Sequence, residues 1–117
     1  MILRANAVGV DDSDDCLTLG FAEESDGSGP ALVLQRAREF AEKDVKAGTA
    51  TYCLTTDTQT TTYGGIESWQ LAEGWLKLKL STKAAEDLGC DSDLIIQFAP
   101  IHTDAVRTAF DRIVKAP

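Results

Sequence analysis

The sequence predicts an α+β domain: a mainly antiparallel β-sheet with a short helix and a C-terminal helix packed on it. Three observations carry that prediction. Leucines alternate with polar residues in "WLKLKL" (Trp75 to Leu80), and Leu17, Leu19 and Phe21 alternate with Cys16, Thr18 and Gly20, the period of two that a strand with one buried face requires. Val106, Ala109, Phe110, Ile113 and Val114 fall at i, i+3, i+4, i+7 and i+8, a single apolar stripe of an α-helix. Hairpin signals also precede the helices in chain order, as expected when helices pack on a finished antiparallel sheet.

Taken in order, "ILRANAVGV" and "DCLTLGFAE" read as a first hairpin turned by "DDSD", whose Asp and Ser side chains bond back to the backbone. Glu23 to Pro30, "EESDGSGP", is a polar loop by composition. "ALVLQRA" is the next strand, with Leu32, Leu34 and Arg36 on one side. The crowded charges of "REFAEKDVK" fit one or two helical turns ending at Gly48. Eight of the fourteen residues from Thr49 to Thr62 are threonine, whose branched Cβ suits the strand "TATYCLTT". "DTQT" turns the chain into "TTYGGIESWQLAE", where Glu67, Trp69 and Leu71 share a face. Glu73 and Gly74 close a tight hairpin into "WLKLKL", with Leu76, Leu78 and Leu80 inward and Trp75, Lys77 and Lys79 outward. Ser81 caps a short helix whose apolar side is Ala84, Ala85 and Leu88 and whose stop is Gly89. "DLIIQFA" is the last strand. Thr103 is the expected N-cap of the C-terminal helix, with Asp104 complementing the helix dipole.

Residues 1–117 show no internal repeat and no dividing linker, so one domain is expected, with a core of its own. The formal net charge of −8 repels nucleic acid and anionic lipid and favours a basic partner. No apolar run approaches the roughly 20 residues of a membrane span, and the N-terminal stretch lacks the pattern of a secretory signal, so the expected compartment is the cytoplasm. Cys16, Cys53 and Cys90 are odd in number and widely spaced, which suits reduced thiols rather than a disulfide framework or a metal site.

Catalytic groups are sparse. His102 is the sole histidine, and just before a helix it reads as a cap or surface residue. Asp11, Asp12, Asp14 and Asp15 lack the spacing and closing glutamate of a calcium loop and read as a solvated turn. Gly64 and Gly65 precede the strand-like "IESWQL", not a helix with a Lys-Ser or Lys-Thr start. They therefore fit a bend or bulge better than a phosphate cradle. No metal and no cofactor are expected. In "LQRAREFAEKD", Gln35, Arg36, Glu39 and Asp44 bring opposite charges within reach, with Arg36 paired to Asp44 or Glu39 either as a structural corner or as part of a recognition surface.

Three stretches, "LVLQRAREFAEKDVKAGTATYCL", "YGGIESWQL" and "LSTKAAEDLGCDSDLIIQF", resemble immunity protein family 10 of bacterial polymorphic toxin systems, in residues and in order, from Leu32 to Phe98. Thr49-Ala50 stand where family members often carry Met-Asp, so no carboxylate role carries over to that place. The resemblance implies a small cytoplasmic, non-enzymatic protein that binds a cognate toxin domain and blocks it, an antitoxin of the immunity type. A basic toxin would be steered by the acidic chain, and the expected contacts are Asp11, Asp12, Asp14, Asp15, Glu23, Glu24 and Asp26. Gln35, Arg36, Glu39, Asp44, Tyr63, Gly64 and Gly65 form the second group, structural or interface. Two alternatives stand beside this: a small enzyme with a cleft near Arg36, Asp44, Tyr52 and Tyr63, or a structural protein whose threonine-rich strand pairs with a second copy into a homodimer.

Overall fold

A computed structural model describes residues 2–13, 16–26, 28–37 and 51–114, and among these residues the chain forms two sheets and two α-helices. The strands are β1 (Ile2–Arg4), β2 (Ala7–Asp12), β3 (Cys16–Ala22), β4 (Ala31–Ala37), β5 (Cys53–Thr56), β6 (Thr61–Tyr63), β7 (Ile66–Ala72), β8 (Trp75–Leu80) and β9 (Asp93–Gln97). Helix α1 (Thr82–Leu88) lies between β8 and β9. A 3-10 turn (Pro100–His102) leads into α2 (Thr103–Val114). One sheet has the order β1-β9-β8-β7 and the other β2-β3-β4-β5-β6. Every pairing among them is antiparallel except β1 with β9. The predicted α+β class is thus observed, with the sheet in two parts.

The alternation read in the sequence sets the inner faces. Leu17, Leu19 and Phe21 of β3, Leu32 and Leu34 of β4, and Leu54 of β5 share one buried cluster with Leu76, Leu78 and Leu80 of β8 and Leu94 and Ile96 of β9. Phe21 and Phe98 stack across it, ring centroids 6.0 Å apart. Each helix touches both sheets. Helix α1 packs on β6 and β8, while α2 packs on β2, β3 and β4 and sets Phe110 edge-on to Trp69 of β7 at 5.4 Å. The α1 caps are as predicted: Ser81 Oγ accepts from the Ala84 N–H, and Gly89 takes the left-handed conformation at φ 68°. The α2 stripe also buries as predicted, with Val106, Ala109, Phe110 and Ile113 inside.

The chain changes sheets at two corners within the described residues. The first divides the run "ILRANAVGV", which the sequence reads as one arm of a hairpin. The Ala5 N–H bonds to Gln97 O at 2.7 Å in one sheet, and the next N–H, of Asn6, bonds to Ala22 O at 2.9 Å in the other. Only β2 therefore forms the hairpin with β3, and β1 runs parallel to β9. The second corner is the glycine pair. Gly64 and Gly65 both have positive φ, 68° and 95°, and carry the chain from β6 into β7. This is the bend expected there. The register break falls just beyond it, between Ile66 and Ser68, so that Ile66, Trp69 and Leu71 lie opposite Leu80, Leu78 and Leu76.

Thr103 departs from expectation. Proline at the start of the 3-10 turn fixes φ and needs no N–H partner, so helical geometry begins early and Thr103 is already helical at φ −55° and ψ −47°. Its buried hydroxyl does not cap α2. It accepts instead from the Gly74 N–H at 3.0 Å, tying the root of α2 to the β7–β8 hairpin. The helical turns predicted over Arg38 to Lys46 lie outside the described residues.

Candidate functional site

The acidic residues expected to meet a partner divide between two places. Asp11 and Asp12 end β2, and the β2–β3 turn is closed by Ser13, whose N–H and Oγ both donate to Cys16 O, at 3.1 and 2.9 Å. Asp14 and Asp15 lie outside the described residues. Glu23, Glu24 and Asp26 follow the far end of β3. The seven residues of β3 separate the two turns by about 20 Å at the usual rise of a strand, so they do not make one patch.

Their chemistry differs too. In the second loop the charge is engaged locally: Asp26 Oδ1 accepts from Ser28 Oγ at 2.6 Å and from the Ser28 N–H at 2.9 Å. Those two bonds, the side-chain one first, hold the Asp26 carboxyl below its ordinary pKa. The loop is fastened as well, by Glu23 N–H to Pro30 O and by Asn6 Nδ2 to Glu23 O at 2.7 Å.

At the first turn, strand alternation sends neighbouring aspartates to opposite sides. Asp11 stands across from Thr18 on the outward face, and Asp12 across from Leu17 on the side that α2 covers. There Asp12 Oδ2 receives Arg112 Nη1 at 3.1 Å, a contact between residues 100 positions apart. Between β2 and α2 lies an open groove of about 360 Å3. Val10 and Leu17 form its floor, Ala105, Thr108 and Ala109 its helical wall, and Asp12, Asp104 and Arg112 its rim. Val10 is 45% exposed although it points to the inner side, because β2 is an edge strand and the facing helix wall is built of small residues. Sequence reading found the aspartates but not this groove, which exists only once β2 and α2 are side by side. The available signal was the small surface of Ala105, Thr108 and Ala109 at i, i+3 and i+4.

Of the second group, the described residues divide between the two faces of their sheet. Gln35 and Arg36 are consecutive in β4 and point to opposite faces: Gln35 Nε2 donates to Thr18 Oγ1 at 3.2 Å outside, while Arg36 Nη1 donates to Ile113 O at 2.7 Å inside. Arg36 therefore engages a carbonyl of the last turn of α2, where a cation also suits the helix dipole. Glu39 and Asp44 lie outside the described residues. Tyr52 is buried and spans the glycine corner. Its O accepts from the Gly64 N–H at 2.9 Å and its phenol oxygen from the Ile66 N–H at 3.0 Å, and burial pushes the phenol pKa up. Tyr63 stands opposite Cys53 on the outward face and is exposed. The Cys53 thiol is also raised by burial, which lowers its reactivity.

The outward face of the four-stranded sheet has the opposite sign. Arg4, Lys77 and Lys79 project there around Trp75 and Ile95, with Asp93 the facing carboxylate next to Lys79. Among the described residues, no three of His, Cys, Asp and Glu come together as metal ligands, and no helix is long and apolar enough to cross a membrane. Compared with known proteins, residues 4–106 match the model of a family described as Immunity protein 10. No curated protein and no solved structure matches the chain.

Proposed function

The chain belongs to the immunity protein 10 family, and from that membership we propose that it neutralises a cognate bacterial toxin domain by binding it, copy for copy, without chemistry of its own. The match over residues 4–106 is the observation that carries this reading. The physics of the chain agrees with it. A net charge of −8 would accelerate encounter with a basic toxin domain, and Asp11 and Asp12 at one turn and Glu23, Glu24 and Asp26 at the other are open to solvent or nearly so. The enzyme alternative loses support, because Arg36 and Tyr63 face opposite sides of the sheet and the Tyr52 phenol is engaged in scaffold. On this reading the protein acts in the cytoplasm, where the toxin would otherwise reach its target.

The test is co-expression with the product of the neighbouring gene, followed by isolation of the complex. Rescue of growth, a one-to-one complex, and an association rate that falls steeply as salt shortens the field to about 10 Å and below are the expected results. Equal killing with and without this protein, and no complex at any salt concentration, would overturn the proposal.

A further inference from the structure

The geometry points to the outward face of the β1-β9-β8-β7 sheet as the docking surface for an acidic patch of the partner protein, with one of its carboxylates seated in a recess beside Lys77 and Lys79. The charge argument starts from which cations are already engaged. Arg36, Lys83, Arg107 and Arg112 each donate to a protein oxygen. The remaining cations among the described residues, Arg4, Lys77 and Lys79, bond to no described residue, and all three stand on this one face. Strand alternation puts them there, because their neighbours Leu3, Leu76, Leu78 and Leu80 are buried in the core. Only Lys79 has an acid across from it, Asp93 of β9. Lys77 stands across from Ile95, and Arg4 across from Gln97. Glu67, at the β7 bulge, is the other carboxylate of the four strands, so the sheet is net positive in a chain of net charge −8.

The face offers shape as well as charge. A recess of about 310 Å3 is lined by Lys77 and Lys79, by Gln70 and Ser68 across from them in β7, and by Asp93 on the Lys79 side. Neither the Ser68 hydroxyl nor the Gln70 amide bonds to a described residue, so a carboxylate entering beside Lys77 meets charged and neutral donors together. Ile2, 53% exposed, lies across from Ile95, and Trp75 is partly buried two residues before Lys77. The cations thus border apolar surface of the kind that fills interface centres. A basic occupant would set its cations against three unpaired ones, whereas an acidic occupant supplies the missing partners. The field of the whole chain acts at longer range. It draws a domain of net positive charge from beyond about 10 Å, while this face selects an acidic patch on that domain at contact.

The identity of the partner rests on the toxin-binding reading; the docking surface does not, and two arms of the experiment separate them. In the first, the partner is the product of the neighbouring gene, prepared as an inactivated toxin domain. Acetylation of lysines is followed by mass spectrometry in the free protein and in the complex. Lys77 and Lys79 should be protected, while Lys83 of α1 reacts as before. Lys77→Glu with Lys79→Glu should speed dissociation about tenfold, since charges at the contact act on the off-rate. Lys77→Gln with Lys79→Gln should speed it several-fold, and this pair keeps the test open if charge reversal beside Asp93 disturbs the sheet. Glu24→Lys with Asp26→Lys, in a loop of the other sheet, should leave dissociation within about twofold and change association alone. In the second arm, a blocked hexapeptide alternating glutamate and leucine is titrated into the protein alone. Shifts in the amide resonances of Ser68, Gln70, Lys77 and Lys79 are expected, and none with the lysine-leucine counterpart. A tight complex in which both lysines acetylate as in the free protein, and both double variants dissociate at the parent rate, overturns the docking surface while leaving the toxin reading intact. Peptide binding on this face without any toxin complex does the reverse. Absence of both overturns both. Shifts on this face with a short DNA duplex but not with the acidic peptide mark a nucleic-acid site and overturn the docking surface as well.

Discussion

The glycine corner and the β2–α2 groove are built on opposite terms. At the corner, three contacts hold the same few atoms: Tyr52 O takes the Gly64 N–H, the Tyr52 phenol takes the Ile66 N–H, and Gly65 O takes the Ser81 N–H at 2.8 Å. At the groove, Val10 has lost part of its cover and the charged contacts, Asp12 with Arg112 and Asp104 with Arg107, lie on the surface. The difference teaches where this molecule tolerates change. An over-determined corner transmits any substitution into the fold, whereas an open groove lets a substitution alter what binds while leaving the fold in place.

The largest expected effect is therefore at Gly65. A Cβ built there falls 2.5 Å from Ala84 Cβ, and φ is 95°. Left-handed strain of about 1–2 kcal/mol adds to an overpacking cost of similar size, so Gly65→Ala should lose about 3 kcal/mol in urea unfolding. A loss under about 0.5 kcal/mol would show that the corner yields and would break the comparison. Next comes Thr103→Val, isosteric but without the acceptor for the Gly74 N–H. It should cost about 1–2 kcal/mol, while hydrogen exchange at Gly74 accelerates. If the first turn of α2 frays instead, the hydroxyl is acting as a cap after all. Gly64→Ala sharpens the contrast within the corner. The same strain applies at φ 68°, but the nearest atom, Thr51 Cγ2, is 3.8 Å away, so about 1 kcal/mol is expected, well below the loss at Gly65.

The corner was legible in the sequence and the groove was not, for physical reasons. Two adjacent glycines before an amphipathic strand have a local meaning, because positive φ is a property of the residue itself. The same holds for Ser81 and Gly89 at the ends of α1 and for the alternation in β8, each written in fewer than ten residues. Asn6 carries no such mark, so the split of the first run between two sheets could not be read. Its corner depends on Gln97 and Ala22, far along the chain. Arg36 on Ile113 O and Arg112 on Asp12 are likewise long-range meetings, 77 and 100 residues apart. Local rules also misplaced Thr103, because Pro100 started the helical geometry three residues earlier. The acidic residues were found by composition, but only the fold sets Asp11 and Asp12 at one end of the β2–β3 hairpin and Glu23, Glu24 and Asp26 at the other.

Acid titration probes the strand that feeds the corner. Asp87 of α1 accepts from Lys83 Nζ at 2.7 Å and from the buried Thr62 hydroxyl of β6 at 3.0 Å, and these hold its carboxyl below the ordinary value, Lys83 first. A folded pKa below the unfolded one means that the stabilisation is complete above the unfolded value of about 3.9 and is lost as pH falls through the folded value. Thr62→Val removes one of the two bonds, so its stability difference from the parent should be full at pH 6 and shrink towards pH 2. A difference that grows on acidification would reverse the sign and exclude this contact as the cause.

The smallest effect on stability is expected at the groove rim, where it tells most about function. Asp12 and Arg112 are each about half exposed, 44% and 48% for their side chains, and a pair so placed in water contributes about 0–1 kcal/mol, less as salt rises. Asp12→Asn keeps the size of the side chain and removes its charge, so thermal unfolding should shift by only a few degrees at low salt and by less at 0.5 M salt. The same substitution takes one of the exposed carboxylates from the end of β2 and leaves Arg112 facing the groove. A basic partner surface drawn by the acidic chain would then meet one negative charge fewer at Asp12. The association rate with the inactivated toxin domain should fall several-fold at low salt and converge with the parent at high salt, while the dissociation rate changes little. If the stability loss exceeds about 2 kcal/mol, the rim is part of the scaffold and the contrast with the corner disappears. If stability is unchanged and the association rate is unchanged too, the partner approaches the molecule from another side.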